Sequence, residues 1–481
     1  MRKINICSFL LYAISLSATV KFDNGHNNPI SDFMFFADPT CVEHEGRLYV
    51  YGTNDSQQLE MTSPDSPNTY EKIHSFQVVS TDDMVNWTYH GTIDVRQAAP
   101  KCLGISWAPT IISRKESDGY THFYMFYSSS GSGVGLITST SPVGPWSDPL
   151  GREFVLTGDP EIGDCPNPFD PGAMIDENGV GWLVFGAGKA TDGNDYYPKS
   201  QRIVRLADDM IHPASDFIEI MAPYHFEANE INQIGGKYIY IYNTSWVERT
   251  EWDKPDKEAP SQCCMSYMTS STPLISDSWQ YEENILRNPG EEGHEYCNNH
   301  THLHKYKDEW YMFYHTMCLQ RSLGVTGGYR SICVDKIKVD EENAKISRGV
   351  MTMKGVTQLK KLDVSMPQPA SQASATSGIV YEKTENPGEM IVHATSPGQG
   401  FKISGIQAPA TSKALYVKVK GKGKIALRAR KPDGPLLSMV NFESSEWDIF
   451  ESKVDKEISS TDDIFFTFED GDFYFKEWKI I

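Results

Sequence analysis

Basic charge is what this chain has least of. Over 481 residues, 44 Lys and Arg stand against 64 Asp and Glu, a formal charge of −20. No cluster of Lys or Arg forms a stripe, which argues against nucleic acid or an anionic membrane surface as a partner. Helical periodicity is nearly absent too, so an all-β fold is expected. The apolar stretch from Ile6 to Leu16 follows Arg2 and Lys3 and runs into Ser15, Ser17 and Ala18. That order reads as a secretory signal peptide over 1–20, too short for a membrane span, and implies export to the periplasm or the medium. Of nine cysteines, eight lie beyond this leader, and all of those precede residue 334. They show no CxxC metal spacing and no small disulfide scaffold. Buried free thiols are expected, with one or two bridges left open.

What the chain has in plenty is one phrase written five times. The copies are FADPTCVEHEGRLYVYG from Phe36, SWAPTIISRKESDGYTHFYMFYSS from Ser106 and FDPGAMIDENGVGWLVFGAG from Phe169. FEANEINQIGGKYIYIYNTSW from Phe226 and NNHTHLHKYKDEWYMFYHT from Asn298 complete the set. Each is a strand, a polar turn and an aromatic-rich strand, the signature of a propeller blade. Asp38, Trp107, Asp170, Glu227 and His300 (or His302) open them, 57 to 73 residues apart. Blades converge on an axis, so the opening residues can face one central pocket. Three carboxylates there, with a Trp and a His, suit the cleavage of a sugar. The chain is 12 % aromatic, which would suit stacking on sugar rings, although most of those rings are needed for the blade cores.

The blades account for residues 28–362, a five-bladed β-propeller. The stretch 363–378, rich in Ser, Ala, Pro and Gln without an aromatic residue, reads as a linker. Residues 379–481 carry short alternating strands and no cysteine, as in a smaller β-sandwich.

The motifs ADPT at Asp38, WAPT at Trp107, NPFDPGAMID at Asp170, FEA at Glu227 and GYRS at Tyr329–Ser331 resemble glycoside hydrolase family 43. The connectors STDDMVNW and TSPVGPWSDP resemble it as well, and the likeness spans roughly residues 30 to 360. It implies hydrolysis with inversion at the anomeric carbon. Asp38 would be the general base, Glu227 the general acid, and Asp170 the carboxylate that raises and orients the acid. Glu230 competes with Glu227 for the acid's place; strand alternation sends the two to opposite faces. Trp107, Arg330 and Asn299 would contact the sugar, Arg330 having a salt bridge with Asp335 as its alternative. His300 matches a family histidine on the propeller axis, near water or a calcium ion. No cofactor is required, and His302 and His304 lack the company of a catalytic zinc. The last hundred residues, from FKISGI to FYFKEWKI, resemble carbohydrate-binding module family 6.

The resemblance thus implies an exported exo-glycosidase acting on plant cell-wall polysaccharide. It would release α-L-arabinofuranosyl or β-D-xylosyl units. A retaining fructosidase would need an NDPNG-like opening where FADPT stands, and a propeller that only binds sugar would not need all three carboxylates.

Overall fold

The computed structural model describes residues 21, 25–102, 104–188, 196–409, 413–454, 458 and 463–481. The signal peptide expected over 1–20 lies outside the described residues. The molecule is nearly all strand, and the five repeated phrases fold as five antiparallel blades.

The first blade runs Ala37–His44, Arg47–Thr53, Ser75–Thr81 and Trp87–Asp94, each strand paired with the next. The second runs Ser106–Lys115, Thr121–Ser129, Gly133–Ser139 and Val155–Leu156. The third runs Gly172–Ile175, Gly181–Phe185, Arg202–Arg205 and Ile218–Glu219. The fourth runs His225–Ile234, Lys237–Thr244, Met265–Ser270 and Gln280–Leu286. The fifth has three strands of its own, Thr301–Tyr306, Glu309–Thr316 and Ser331–Lys336.

The sequence dictates these hairpins locally. Their strands are β-branched and aromatic, as in HFYMFYSS, YIYIYNT and WYMFYHT. Three of the first turns place both central residues at positive φ: Glu45–Gly46, Gly235–Gly236 and Lys307–Asp308. That is the type I′ geometry whose twist matches the flanking strands.

Five apolar clusters lie between adjacent blades, which is what makes the ring continuous. Phe76 and Val78 of the first blade meet Phe123 and Met125 of the second, and Phe126 and Leu136 meet Leu183 and Phe185. Val184 and Ile203 meet Tyr240 and Tyr242, and Ile239 and Ile241 meet Met312 and Tyr314. The fifth, Phe313 and Val334 against Leu48 and Val50, closes the circle. The chain's own beginning seals this last seam. Ile30 N–H donates to the Ile332 carbonyl at 2.9 Å, and Phe36 bridges Ser331 in parallel. The Asn28 amide accepts from Val334 N–H at 2.8 Å and donates to the Val334 carbonyl at 3.1 Å.

The C-terminal domain is built on three long strands, Ala414–Ala429, Leu436–Lys453 and Ile464–Ile480. They bend around one core that includes Phe466, Phe475 and Trp478. The stretch 363–378 is not the open linker its composition suggests. Gln372–Ala373 adds a fifth strand to the first blade, and Ala375–Ser377 joins the C-terminal sheet. Ser371, Gln372, Ser374 and Thr376 are buried there, because small polar side chains fit a seam between two sheets. Thr376, for one, donates through N–H and hydroxyl to Asp32 of the propeller. Among the described residues all eight cysteines are free thiols. No described helix is long and apolar enough to cross a membrane.

Candidate active site

The first four blades are each entered through a residue at positive φ: Asp38 (53°), Ala108 (44°), Asp170 (43°) and Ala228 (57°). The ladder slips at the first, second and fourth of these points, between Ala37 and Thr40, Trp107 and Thr110, and Glu227 and Glu230. Such a bulge re-aims the neighbouring side chains out of the plain alternation of a strand. Asp38 and Asp170 are themselves the residues at positive φ, whereas Trp107 and Glu227 stand one residue before theirs. The five opening residues are therefore not strictly equivalent, as the repeat suggested. They form two tiers. Asp38 and Asp170 lie deep, 5 % and 4 % exposed; Trp107, Phe169 and Glu227, each just ahead of a positive-φ residue, are half-buried above them. The prolines carried the signal for this register, since Pro39, Pro109 and Pro171 each follow the positive-φ residue.

The residue two places on ties neighbouring blades together. Thr40 Oγ1 accepts from Ile111 N–H at 3.2 Å, and Thr110 Oγ1 accepts from Ala173 N–H at 3.0 Å. Glu230 fills this linking place in the fourth blade, where Oε1 accepts from Leu303 N–H at 2.7 Å. Glu230 is thus structural and lies outside the pocket, while Glu227 lines it. The same count places His300 at the corresponding position of the fifth blade, whose first ladder runs without a slip.

Asp38, Tyr70, Trp107, Phe169, Asp170, Glu227, Asn298 and Arg330 enclose a cavity of about 130 Å³ on the axis. Arg330 Nη1 donates to Asp38 Oδ1 at 2.9 Å. The rest of its guanidinium forks onto Asp55, Nη2 to Oδ1 at 2.9 Å and Nε to Oδ2 at 3.0 Å. Its ion pairs are therefore with Asp38 and Asp55. Asp335 instead accepts from Tyr314, Asn28 and Thr352. The Trp107 indole N–H donates to the Tyr70 carbonyl at 3.0 Å, and its ring meets Phe169 edge-on at 5.9 Å. Asp170 Oδ1 accepts from the Ser128 hydroxyl at 3.1 Å and Oδ2 from Ala228 N–H at 3.1 Å. His300 Nδ1 lies 3.5 Å from Asp38 Oδ1 and 3.8 Å from Asp170 Oδ2.

Two expectations need correction or restatement. Asn299 does not reach the sugar pocket: it is fully buried, and its amide donates to the Arg287 carbonyl at 2.9 Å. Its neighbour Asn298 lines the cavity and hydrogen-bonds Glu227. His300 faces two carboxylates already bonded to Arg330, Ser128 and a main-chain N–H. That set does not make the oxygen cage calcium requires. Among the described residues no three His, Cys, Asp or Glu side chains converge as a metal site. His302 sits 3.3 Å from Glu230 and 3.3 Å from His304.

Sequence reasoning passed over Asp55, Tyr70 and His315. His315 Nδ1 accepts from Asp38 N–H at 3.2 Å, while Nε2–H donates to the Asn298 carbonyl at 2.9 Å. Burial pushes it down to about 3, so it is neutral in this role. The repeat could have found it: Thr53 and Ser128, which close the same strand in the first two blades, likewise accept from Ala108 and Asp170 N–H. Asp55 carried no signal at all.

The electrostatics separate the carboxyls. Burial raises Asp38, but the Arg330 guanidinium and His300 outweigh it and hold the group well below the usual carboxylate range. Burial pushes Glu227 well above that range, and the charges of Asp170 and Asp38 push it further. Burial lifts Asp170 to about 6, with His300 opposing and Asp38 adding to the rise. One carboxylate ionised and another protonated across one pocket is the arrangement that acid–base cleavage of a glycosidic bond needs.

Fold and site together define a propeller glycosidase. The sequence profile of "Glycosyl hydrolases family 43" matches residues 26–344, and the chain belongs to that family of glycoside hydrolases. Among its relatives is the arabinoxylan arabinofuranohydrolase of Bacillus subtilis (strain 168). It is 30 % identical over 478 residues, covering 92 % of this chain and 91 % of the relative. The protein of the same description from Paenibacillus polymyxa is 30 % identical over 445 residues, 88 % of this chain and 68 % of the relative. A crystal structure of a Bacillus subtilis family 43 arabinoxylan arabinofuranohydrolase in complex with cellotetraose superposes with a TM-score of 0.88. It is 28 % identical and covers 97 % of this chain and 99 % of its own. An α-L-arabinofuranosidase from Clostridium thermocellum gives a TM-score of 0.51 at 28 % identity, over 68 % of this chain and 96 % of its own.

Proposed function

We propose that this hydrolase is an inverting exo-α-L-arabinofuranosidase that removes arabinofuranosyl branches from arabinoxylan. The observation that carries the reading is the split between Asp38 and Glu227 in one small pocket. Asp38, ionised, takes a proton from a water that attacks the anomeric carbon. Glu227, protonated, gives its proton to the glycosidic oxygen as that bond breaks, and the sugar leaves with inverted configuration. Asp170 raises Glu227 by its charge, and its Oδ2 fixes the bulge beside Glu227 through Ala228 N–H. The indole face of Trp107 offers an apolar platform for sugar C–H groups. A pocket this small suits a single terminal sugar, and the descriptions of both relatives name arabinoxylan.

The C-terminal domain adds a candidate carbohydrate surface. Trp447 is 37 % exposed with Lys476 Nζ 6.0 Å from its ring, and Tyr474 stacks on His393 at 4.4 Å. Trp478, by contrast, belongs to the core. Export fits a polymer substrate and the leader-like first twenty residues.

Two measurements test the reading. Purified protein should release nitrophenol from an aryl α-L-arabinofuranoside faster than from the β-D-xyloside, and proton NMR should show the inverted anomer first. Glu227→Ala should impair natural linkages far more than activated aryl substrates, because only the former need protonation. Equal loss across leaving groups would place the acid elsewhere. Preference for the xyloside would reassign the sugar.

A further inference from the structure

Asp55 is fully buried at the start of the short helix Asp55–Glu60 that follows the second strand of the first blade, and the proposed chemistry gives it nothing to do. Its bonding is nonetheless saturated. Oδ1 accepts from Arg330 Nη2 at 2.9 Å. Oδ2 accepts from Arg330 Nε at 3.0 Å, Arg330 main-chain N–H at 3.1 Å and Asn68 Nδ2 at 2.8 Å. The Tyr70 ring lies 4.6 Å from the guanidinium carbon and closes the stack from the pocket side. Arg330 therefore meets its two carboxylates differently: it forks onto Asp55 and touches Asp38 through Nη1 alone. The contacts of the Asp38 carboxylate with Arg330 and His300 both fall on Oδ1, while His315 takes the Asp38 main-chain N–H. Among the described residues no donor is bonded to Oδ2.

We infer that Asp55 is a positioning residue for catalysis, holding Arg330 end-on to Asp38 so that one oxygen of the base stays open to water. A guanidinium prefers a planar, two-pronged pair with a carboxylate. Without Asp55, the fork facing Asp38 covers both of its oxygens. A base so occupied has no lone pair aimed at the attacking water. A purely structural role, pinning residues 54–74 to the fifth blade, predicts a different result, because it would lower stability without touching proton removal.

The inference rests on Asp38 being the base, so the test carries a control for that. Turnover of an aryl α-L-arabinofuranoside is measured for wild type, Asp55→Asn and Asp38→Ala, with and without azide, alongside melting temperature. Azide attacks the anomeric carbon directly: its nitrogen–carbon bond forms as the bond to the leaving oxygen breaks, and no proton has to be removed. Azide therefore replaces base-assisted water. Folded Asp55→Asn should lose about 10- to 100-fold in kcat, a partial loss of the roughly 100- to 10,000-fold that a general base contributes. Azide should restore most of it as the inverted glycosyl azide, as it does for Asp38→Ala. Should Asp55→Asn fail to fold, Asn68→Ala loosens the same carboxylate and should give a smaller, azide-responsive loss. Wild-type kcat in a folded variant overturns the inference, and so does a loss that azide leaves alone while Asp38→Ala responds. Full turnover by Asp38→Ala would instead remove the base assignment itself.

Discussion

Gly172 gives the sharpest test of how the ring positions its chemistry. It occupies the place where the other blades carry Thr40, Thr110 or Glu230, and its φ is ordinary, so alanine would bring no backbone strain. Space is what is lacking. A Cβ at Gly172 would stand 2.4 Å from the Asn229 carbonyl oxygen and 2.6 Å from Glu230 Cα, where ordinary contact begins at 3.4 Å. Both neighbours are main chain and cannot rotate away, so the third and fourth blades must part by about 1 Å at this point. Asn229 also donates to the Asp170 carbonyl at 2.8 Å and the Gly186 carbonyl at 2.9 Å, so the displacement pulls on both blades. Overpacking of this kind costs about 1–3 kcal/mol, which lowers the melting temperature by several degrees without preventing folding. A shift of about 1 Å between Asp170 and Glu227 is expected to cost about 100-fold in kcat. Gly172→Ala is therefore assayed on an aryl α-L-arabinofuranoside after its fold is checked by circular dichroism. A folded variant within threefold of wild-type kcat would refute the claim that blade spacing sets the acid's position.

Two further outcomes follow from the same geometry. Asp170→Asn removes the negative charge that helps raise Glu227; because Glu227 works protonated, the alkaline limb of kcat/KM should move down by about one pH unit, read from the pH–rate profile. Thr110→Val leaves Ala173 N–H without its acceptor between the second and third blades. It should cost about 1–3 kcal/mol in denaturant unfolding with kcat nearly unchanged.

The blades were legible because aromatic and β-branched strands alternate with turn residues of fixed chemistry, and that chemistry is local. The carboxylates were legible because three of the five copies of the phrase, those at Asp38, Asp170 and Glu227, present one at the same end. The one-residue offset of Glu227 was not, since a bulge is decided by pairing between strands, and the fourth copy lacks the proline that follows the positive-φ residue in the first three. The places of Asn298 and Asn299 were not legible either: without the register, adjacent residues cannot be sorted between pocket and interior. The stretch 363–378 looked like a linker because serine, alanine and glutamine usually face water. Here a contact between two sheets buries them, and composition does not record contacts. Asp55 lay beyond any local reading, because its partner Arg330 is 275 positions away.

The seam between the first and last blades also fixes when the enzyme can begin to work. The segment that seals the fifth blade is made first, and its partners some three hundred residues later; Asn28 and Val334 are 306 positions apart. So distant a contact forms late and slowly, after the shorter loops have closed. Asp38 follows that segment directly, Arg330 stands beside Ser331 on the other side, and the two meet only when the seam zips shut. A refolding chain with four correct blades and an open ring would carry Glu227 and Asp170 in place yet have no counter-ion for its base. The return of turnover during refolding is therefore a clock for ring closure itself, and it should lag behind the recovery of β-sheet circular dichroism.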